Sequence, residues 1–264
     1  MKRIFRRFPL AAFFALAFIF SWSAFGLAFF AETAMGPLLI LGGFGPLAAG
    51  FFVSYILGGE EVSILLGSIT KWRFSGRLWA FTLGVPPLLY LAAGLILALV
   101  VSVEISSGSP SFALYPLMIG VVAVIGGGQE EVGWRGFALP RLQERFDPVV
   151  AGAMLGVIWV LWHLPLFAMA GSQQSSIPLL PYAAYTVGFS IIMTWLYNAT
   201  GGSVLAAILF HAGANVPSTW YPLALCAGGI NSAGLLAVLV WVVVVLLVFR
   251  GDGHLETAEF GRRR

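Results

Sequence analysis

Charge is what this sequence has least of. Only 9% of its 264 residues are Asp, Glu, Lys or Arg, while 59% are hydrophobic; an ordinary soluble domain is about a quarter charged. That scarcity excludes a soluble globular domain and implies a chain that resides in lipid. Cysteine is almost absent too. Cys226 stands alone, which excludes an intrachain disulfide and a Cys-based metal cluster, and it reads as a packing residue. No GK[ST] follows Gly126-Gly127-Gly128, so that run is no phosphate loop. No HExxH helix and no GxSG-like nucleophile elbow occur either.

What is present is a series of apolar runs of the length a bilayer demands, roughly 20 residues each. Eight are expected, over about 9–30, 35–57, 78–103, 112–131, 148–170, 178–197, 202–220 and 222–249. The first follows a basic start but is longer than a signal-peptide core and precedes no A-x-A site, so it reads as a retained span. The expectation is an all-α membrane protein, a single transmembrane domain over 1–264 made of about eight helices around a polar cavity. All 14 Lys and Arg fall in the N-terminal tail, the second and fourth connections and the C-terminal tail. The positive-inside rule then makes these the cytoplasmic side and both termini cytoplasmic. The outer connections hold only Glu32, Glu104 and polar residues such as Ser172 to Ser176. The net charge of +3 thus belongs to the inner membrane face, which argues for lipid as a partner and against nucleic acid. Short basic tails and compact loops suggest a prokaryotic plasma membrane. Residues 60–78, with Leu65, Ile69, Trp72 and Phe74 beside Lys71, Arg73 and Arg77, suggest an interfacial helix.

Ionisable residues inside spans are expensive and mark functional candidates. Three places qualify: Glu130-Glu131 with Arg135, His163 in WVLWHLP, and His211 with Asn215 in HAGAN. On a helix, Glu131 and Arg135 share a face, while Glu130 points about 100° away. Glu131 would then be held as an anion by Arg135, leaving Glu130 to take up and release a proton. His211 and Asn215 are stacked four apart; the Asn either orients the imidazole or joins it in donating to one oxygen. A Glu, two His and an Asn around one cavity make a kit for activating water and stabilising an oxyanion. The bland readings are a solvated charge cluster at a helix end and histidines bonded to nearby carbonyls. The Asn198-Ala199-Thr200 sequon lies in an expected cytoplasmic connection and should stay unmodified.

These residues resemble the CAAX prenyl endopeptidase type II and bacteriocin-processing (CPBP, or abortive-infection) family of intramembrane proteases. Its EExxxR motif stands as Glu130-Glu131-Val132-Gly133-Trp134-Arg135. Its FxxxH motif stands as Trp159-Val160-Leu161-Trp162-His163, with Trp in place of the usual Phe, and its HxxxN as His211-Ala212-Gly213-Ala214-Asn215. The resemblance covers roughly 115–220, the catalytic core. It implies that Glu130, aided by His163, activates water to attack a peptide carbonyl, with His211 and Asn215 stabilising the oxyanion and Glu131 and Arg135 in support. Trp159 would keep an aromatic wall and narrow the pocket. The substrate implied is a membrane-associated peptide or protein, prenylated in the eukaryotic members. The family is also described as metalloproteases, which would make Glu130, His163 and His211 the ligands of a divalent metal such as zinc; the alternative is no cofactor.

One piece of helix arithmetic stands against this picture. If the fourth span ends near Glu131 and the fifth begins at Pro148, His163 lies roughly 20 Å further along than Glu130. Convergence requires a long, tilted fifth span or a deeper fourth one, and a cavity open to the cytoplasm is expected to supply water. Competing readings are a noncatalytic scaffold or immunity protein of the same family, a proton-coupled transporter and a rhomboid-type serine protease. The polar residues crowd into the second half with no counterpart in the first, which argues against a transporter built from repeated halves.

Overall fold

The computed structural model describes residues 2–100, 112–218, 226–227 and 230–250. Glu104, His254, the last three arginines and the side chains of Glu32 and Cys226 lie outside the described part. Thirteen helices carry the described chain: α1 (Lys2–Arg7), α2 (Pro9–Phe30), α3 (Met35–Gly43), α4 (Gly45–Leu57), α5 (Gly59–Ile69), α6 (Gly76–Val100), α7 (Tyr115–Ile125), α8 (Glu131–Gly133), α9 (Leu139–Gln143), α10 (Pro148–Phe167), α11 (Leu179–Ala199), α12 (Val204–Ser218) and α13 (Ser232–Phe249). The other regular structure among the described residues is four 3-10 turns, one π-helical turn and a two-residue antiparallel pairing of Cys226–Ala227 with Ile230–Asn231. Each of the eight expected apolar runs contains helix among the described residues. Among the described residues six segments are long and apolar enough to cross a membrane, α3 and α4 together forming one, while α7 and α12 are shorter. The chain is an all-α, multi-pass membrane protein.

Each long helix keeps one stripe for lipid and one for its neighbours. On α6, Leu88, Leu91, Leu95 and Leu99 are all more than half exposed, the spacing of a single face. Helices α10 and α11 approach closely through Gly152 and Gly156. A Cβ on the first would come within 2.7 Å of Thr194 Oγ1, and on the second within 2.8 Å of the Val187 Cα. This is the small-xxx-small device by which membrane helices gain dispersion contact. The facing side of α11 carries Thr186, Ser190, Thr194 and Asn198, one every four residues and all buried.

The fourth span departs from expectation in a way that matters for the site. It stops being α-helical at Gly126-Gly127 and restarts as a 3-10 turn at Gly128–Glu130. It then runs through α8, a π-helical turn at Trp134–Ala138 and α9 to Gln143. The Leu139 N–H bonds Trp134 O, five residues back, and the following Pro140 has no N–H to bond the preceding turn, so the wider winding suits the sequence. The charged stretch is therefore the inner half of the span rather than a loop beyond it.

The interfacial element is shorter than expected. Helix α5 ends at Ile69, and 71–75 is non-helical. Leu65 points inward against Val132, Val204 and Ile208, while Trp72 is exposed. Lys71 Nζ bonds Gly201 O, and Arg141 pairs with Glu61 at 2.6 Å. These contacts draw the basic residues to one end of the bundle. There they wall a cavity of about 1180 Å³ with Arg6, Arg7, Lys71, Arg141 and Arg145.

Candidate active site

Three chain segments carry the polar side chains, and the fold levels them. Counting back from Glu144, Glu130 is about 21 Å into the inner half of the fourth span, and Trp159 is about 18 Å along α10 from Asp147. The two arms of this hairpin thus bring Glu130 beside Trp159. The other expected remedy, a long fifth span, is not what happens: α10 has 20 residues. The seventh span reaches the same level by starting deep. The Thr200–Val204 turn is sunk into the bundle, with Thr200, Ser203 and Val204 at most 4% exposed, and Val204 Cγ2 lies 3.3 Å from where a Cβ on Gly136 would be. A buried helix start must have its donors satisfied. Ser203 Oγ accepts the Ala206 N–H at 3.1 Å and donates to Lys71 O at 2.6 Å, while Thr200 Oγ1 accepts the Ser203 N–H at 3.3 Å.

At the centre, Glu131 Oε2 pairs with Arg135 Nη1 at 2.7 Å, both side chains fully buried. The other carboxylate oxygen, Oε1, accepts from His211 Nδ1 at 2.8 Å. Asn215 Nδ2 donates to Gly126 O at 2.8 Å and lies 3.1 Å from His211 Nε2. With Nδ1–H held by a carboxylate, Nε2 is the lone-pair end and takes an Asn215 hydrogen. Of the two readings of HxxxN, the geometry is the one in which Asn orients the imidazole. Arg135 also donates to Ser190 Oγ at 2.8 Å, and Ser190 in turn donates to Gly152 O at 2.7 Å. The guanidinium lies 5.1 Å above the Trp159 ring.

Glu130 looks the other way. It lines a cavity of about 300 Å³ together with His163, Trp159, His211 and Asn215, whereas Glu131 is not among its walls. A water occupies about 30 Å³ in the liquid, so the cavity admits one with room to spare. Trp159 joins the two groups facing it. Its Nε1 donates to Glu130 Oε2 at 2.9 Å, and its carbonyl accepts from His163 Nδ1 at 2.8 Å. A carbonyl only accepts, so His163 carries its hydrogen on Nδ1 and keeps the Nε2 lone pair.

The residue expected to be a mere wall is thus a hydrogen-bond donor, a role Phe cannot fill. Trp159→Phe removes a bond to a carboxylate, a kind worth about 1.5–3 kcal/mol. We expect kcat to fall about tenfold or more with KM little changed, which steady-state kinetics on the two proteins would show.

Gly127 is indispensable for two reasons. Its φ of +114° is a conformation L side chains rarely adopt, and a Cβ there would sit 2.6 Å from Asn215 Nδ2 and 2.9 Å from His211 Nε2. Gly127→Ala should displace that pair, and a misplacement of about 1 Å lowers turnover about 10²-fold. Turnover measured on protein that still elutes as a monodisperse peak would check this.

The described walls of the cavity lie away from the basic end. Its walls include Gln173, Gln174 and Ile177 from the α10–α11 connection and Leu39 and Ile40 of α3, all toward the end opposite the basic one. Toward the basic end stand Trp134, Phe137 and Leu139, at most 1% exposed. Phe13 caps them with its ring 5.6 Å from Trp134. Glu130, His163 and His211, the alternative ligand set for a metal, are not gathered into one cluster. Among the described residues no three His, Cys, Asp or Glu side chains form a metal-binding group, and His211 Nε2 is taken up by Asn215.

The sequence reading missed Gln129, Tyr182 and Ser190. Gln129 and Tyr182 line the cavity, and Gln129 Oε1 accepts the Gly127 N–H at 2.9 Å, holding the bend. Ser190 was detectable as part of the four-residue polar stripe of α11. Asn198 of the sequon is buried in a reciprocal amide pair with Gln143 at 3.1 and 2.9 Å.

Residues 111–217 match the family model described as type II CAAX prenyl endopeptidase Rce1-like. Over 111 residues the chain is 32% identical to a Methanococcus maripaludis protein named CAAX prenyl protease 2, a match covering 40% of this chain and 41% of that relative. The chain therefore spans about two fifths of the length of the curated relative it matches. The matched stretch begins just before α7, ends within α12 and holds Glu130, Glu131, Arg135, Trp159, His163, His211 and Asn215. The stretch that carries these side chains is thus similar to the type II CAAX prenyl endopeptidase Rce1-like family.

Proposed function

We propose that the chain is an intramembrane endopeptidase that hydrolyses a peptide bond of a membrane-associated peptide or protein, as its relative's name, a CAAX prenyl protease, suggests. The observation that carries this reading is Trp159, which holds Glu130 at its indole and His163 at its carbonyl so that both face one cavity large enough for water. Glu130 takes a proton from water as its oxygen attacks the scissile carbonyl, with His163 Nε2 as a second acceptor for that water. The carbonyl oxygen develops its charge beside Asn215, whose second amide hydrogen, on Gly126 O at rest, is offered to the oxyanion while His211 Nε2 keeps the first and so orients the amide. Collapse breaks the C–N bond, and Glu130 returns the proton to the departing amine. Glu131 and Arg135 are positioning residues: they hold His211 and the Trp159 ring. No step needs a metal.

The test is cleavage of a fluorogenic, lipidated peptide by purified protein in detergent, with Glu130→Ala, His163→Ala and His211→Ala compared with the unmodified protein, each with and without a chelator. Loss in all three folded variants and indifference to chelator are expected. An inactive unmodified protein, or a fully active Glu130→Ala, would move the reading to a noncatalytic membrane partner.

A further inference from the structure

The cavity of about 1180 Å³ at the basic end shares no wall residue with the site. Its walls come from places where spans begin and end: the starts of α2 and α10, the last turns of α4 and α11, helix α5 with Lys71, and the run from Gly136 to Arg145. Helices α2, α10 and α11 are long and apolar enough to cross a membrane, so their ends set this cavity at the level where hydrocarbon gives way to headgroups. The lining is divided by exposure. Leu10, Leu57, Leu65 and Pro140 are buried or half-buried, whereas Arg6, Arg7, Lys71 and Arg145 are exposed. Five cations face the cavity against two carboxylates, Glu61 and Glu144. Glu61 is engaged by Arg141 at 2.6 Å, and among the described residues no carboxylate lies within 4 Å of the charged nitrogens of Arg6, Arg7, Lys71 or Arg145. Two of the cations are held in place by neutral groups as well. Arg141 donates to Phe137 O at 2.9 Å with its guanidinium 3.8 Å above the Phe137 ring, and the Lys71 ammonium bonds Gly201 O. Cations gathered around one space repel one another, and an anion in that space relieves the repulsion.

We propose that this cavity binds the phosphate of an anionic membrane lipid, with the headgroup among Arg6, Arg7, Lys71 and Arg145 and the start of the acyl chains against Leu10, Leu57 and Leu65. The chemistry of the walls suits it. A guanidinium presents a planar fork to two phosphate oxygens, and an ammonium adds a point charge; basic pockets between membrane helices take lipid phosphates in this way. The volume of about 1180 Å³ exceeds the roughly 300–1,000 Å³ of a site for a drug-sized molecule, which leaves room for a headgroup together with its glycerol. An inorganic phosphate would leave the apolar walls unfilled. The bound phosphate ties together the α1–α2 junction at Arg6 and Arg7, the chain after α5 at Lys71 and the chain after α9 at Arg145. Gly136 and Arg141, two more wall residues, belong to the same run as Glu131 and Arg135, so the lipid braces from its far end the segment that carries the site. Because the readout is binding, the proposal stands or falls separately from the peptide hydrolysis proposed above.

The test takes the full chain purified in a neutral detergent and adds phosphatidylglycerol, phosphatidylcholine or inorganic phosphate in turn. Lipid retained in native mass spectrometry and the thermal unfolding midpoint are read for each. Phosphatidylglycerol should stay bound and raise the midpoint by about 5 °C or more, as a ligand far above its dissociation constant does; phosphatidylcholine and inorganic phosphate should do neither. The double variant Arg6→Gln with Arg145→Gln alters two exposed side chains, so its midpoint without lipid should be unchanged. Its affinity for phosphatidylglycerol should fall about tenfold or more, since each basic residue near a lipid surface adds a separate attraction. Arg73→Gln with Arg77→Gln removes the same charge from exposed residues outside the cavity walls and should keep the affinity. Equal losses in the two double variants would reveal only the general attraction of a basic surface for an acidic lipid and would overturn the site. Equal retention of phosphatidylcholine would overturn the choice of an anionic lipid, and an equal rise with inorganic phosphate would replace the lipid by a soluble phosphate ion.

Discussion

Glu130→Gln should lower turnover about 10²–10⁴-fold, the range a positioned general base supplies, and leave the protein as stable as before. The amide has the shape of the carboxyl and still accepts the Trp159 indole N–H, now at 2.9 Å from Oε2; what it loses is the ability to take a proton from water. Because the cavity face of Glu130 carries no ion pair in this arrangement, with Arg135 engaged at 2.7 Å by Glu131 instead, no buried charge is left uncompensated. Single-turnover cleavage alongside thermal unfolding in the same detergent would check both halves. A variant that loses stability together with activity would show that Glu130 holds the fold and would remove the chemical role assigned to it.

Arg135→Met should behave in the opposite way, with stability as the first casualty. The guanidinium is fully buried and pairs with an equally buried Glu131. Breaking a buried ion pair from one side destabilises by about 3–5 kcal/mol, because the remaining charge has neither water nor partner. The same substitution removes the cation from above the Trp159 ring and the donor to Ser190 Oγ. The double variant Glu131→Leu with Arg135→Met leaves no charge behind and should regain much of the stability. It should not regain activity, because His211 Nδ1 would have lost the carboxylate 2.8 Å away that sets its tautomer and direction. Denaturation midpoints of the two single variants and the double, with turnover on each, separate these effects. Equal stability of all four proteins would mean that the pair contributes nothing to the fold.

The membrane class, the number of apolar helices and the polar residues held inside them were legible in the sequence, and each for a physical reason. Hydrocarbon tolerates so few charges that composition and run length alone identify spans, and a Glu, Arg or His retained inside one stands out against its surroundings. That Glu131 pairs with Arg135 while Glu130 faces elsewhere also followed from helical spacing, since residues four apart share a face. The polar stripe Thr186, Ser190, Thr194 and Asn198 on α11 was equally open to that reasoning.

Depth was not legible. Hydropathy ends a span at its first cluster of charges, and so it ended the fourth at Glu131; the chain instead carries Glu131 and Arg135 on through the bundle to Gln143, because each neutralises the other. Nor could a run of apolar residues reveal that α12 starts at a buried turn, which is possible only because Ser203, Thr200 and Lys71 satisfy its free backbone groups. Those two offsets bring Glu130, His163 and His211 to one level. The role of Trp159 as donor to Glu130, and the placing of the cavity walls away from the basic end, likewise depend on which segments face one another. Sequence by itself determined which groups are costly enough to matter; tertiary structure decided where they meet, because pairing and burial are properties of neighbours distant along the chain.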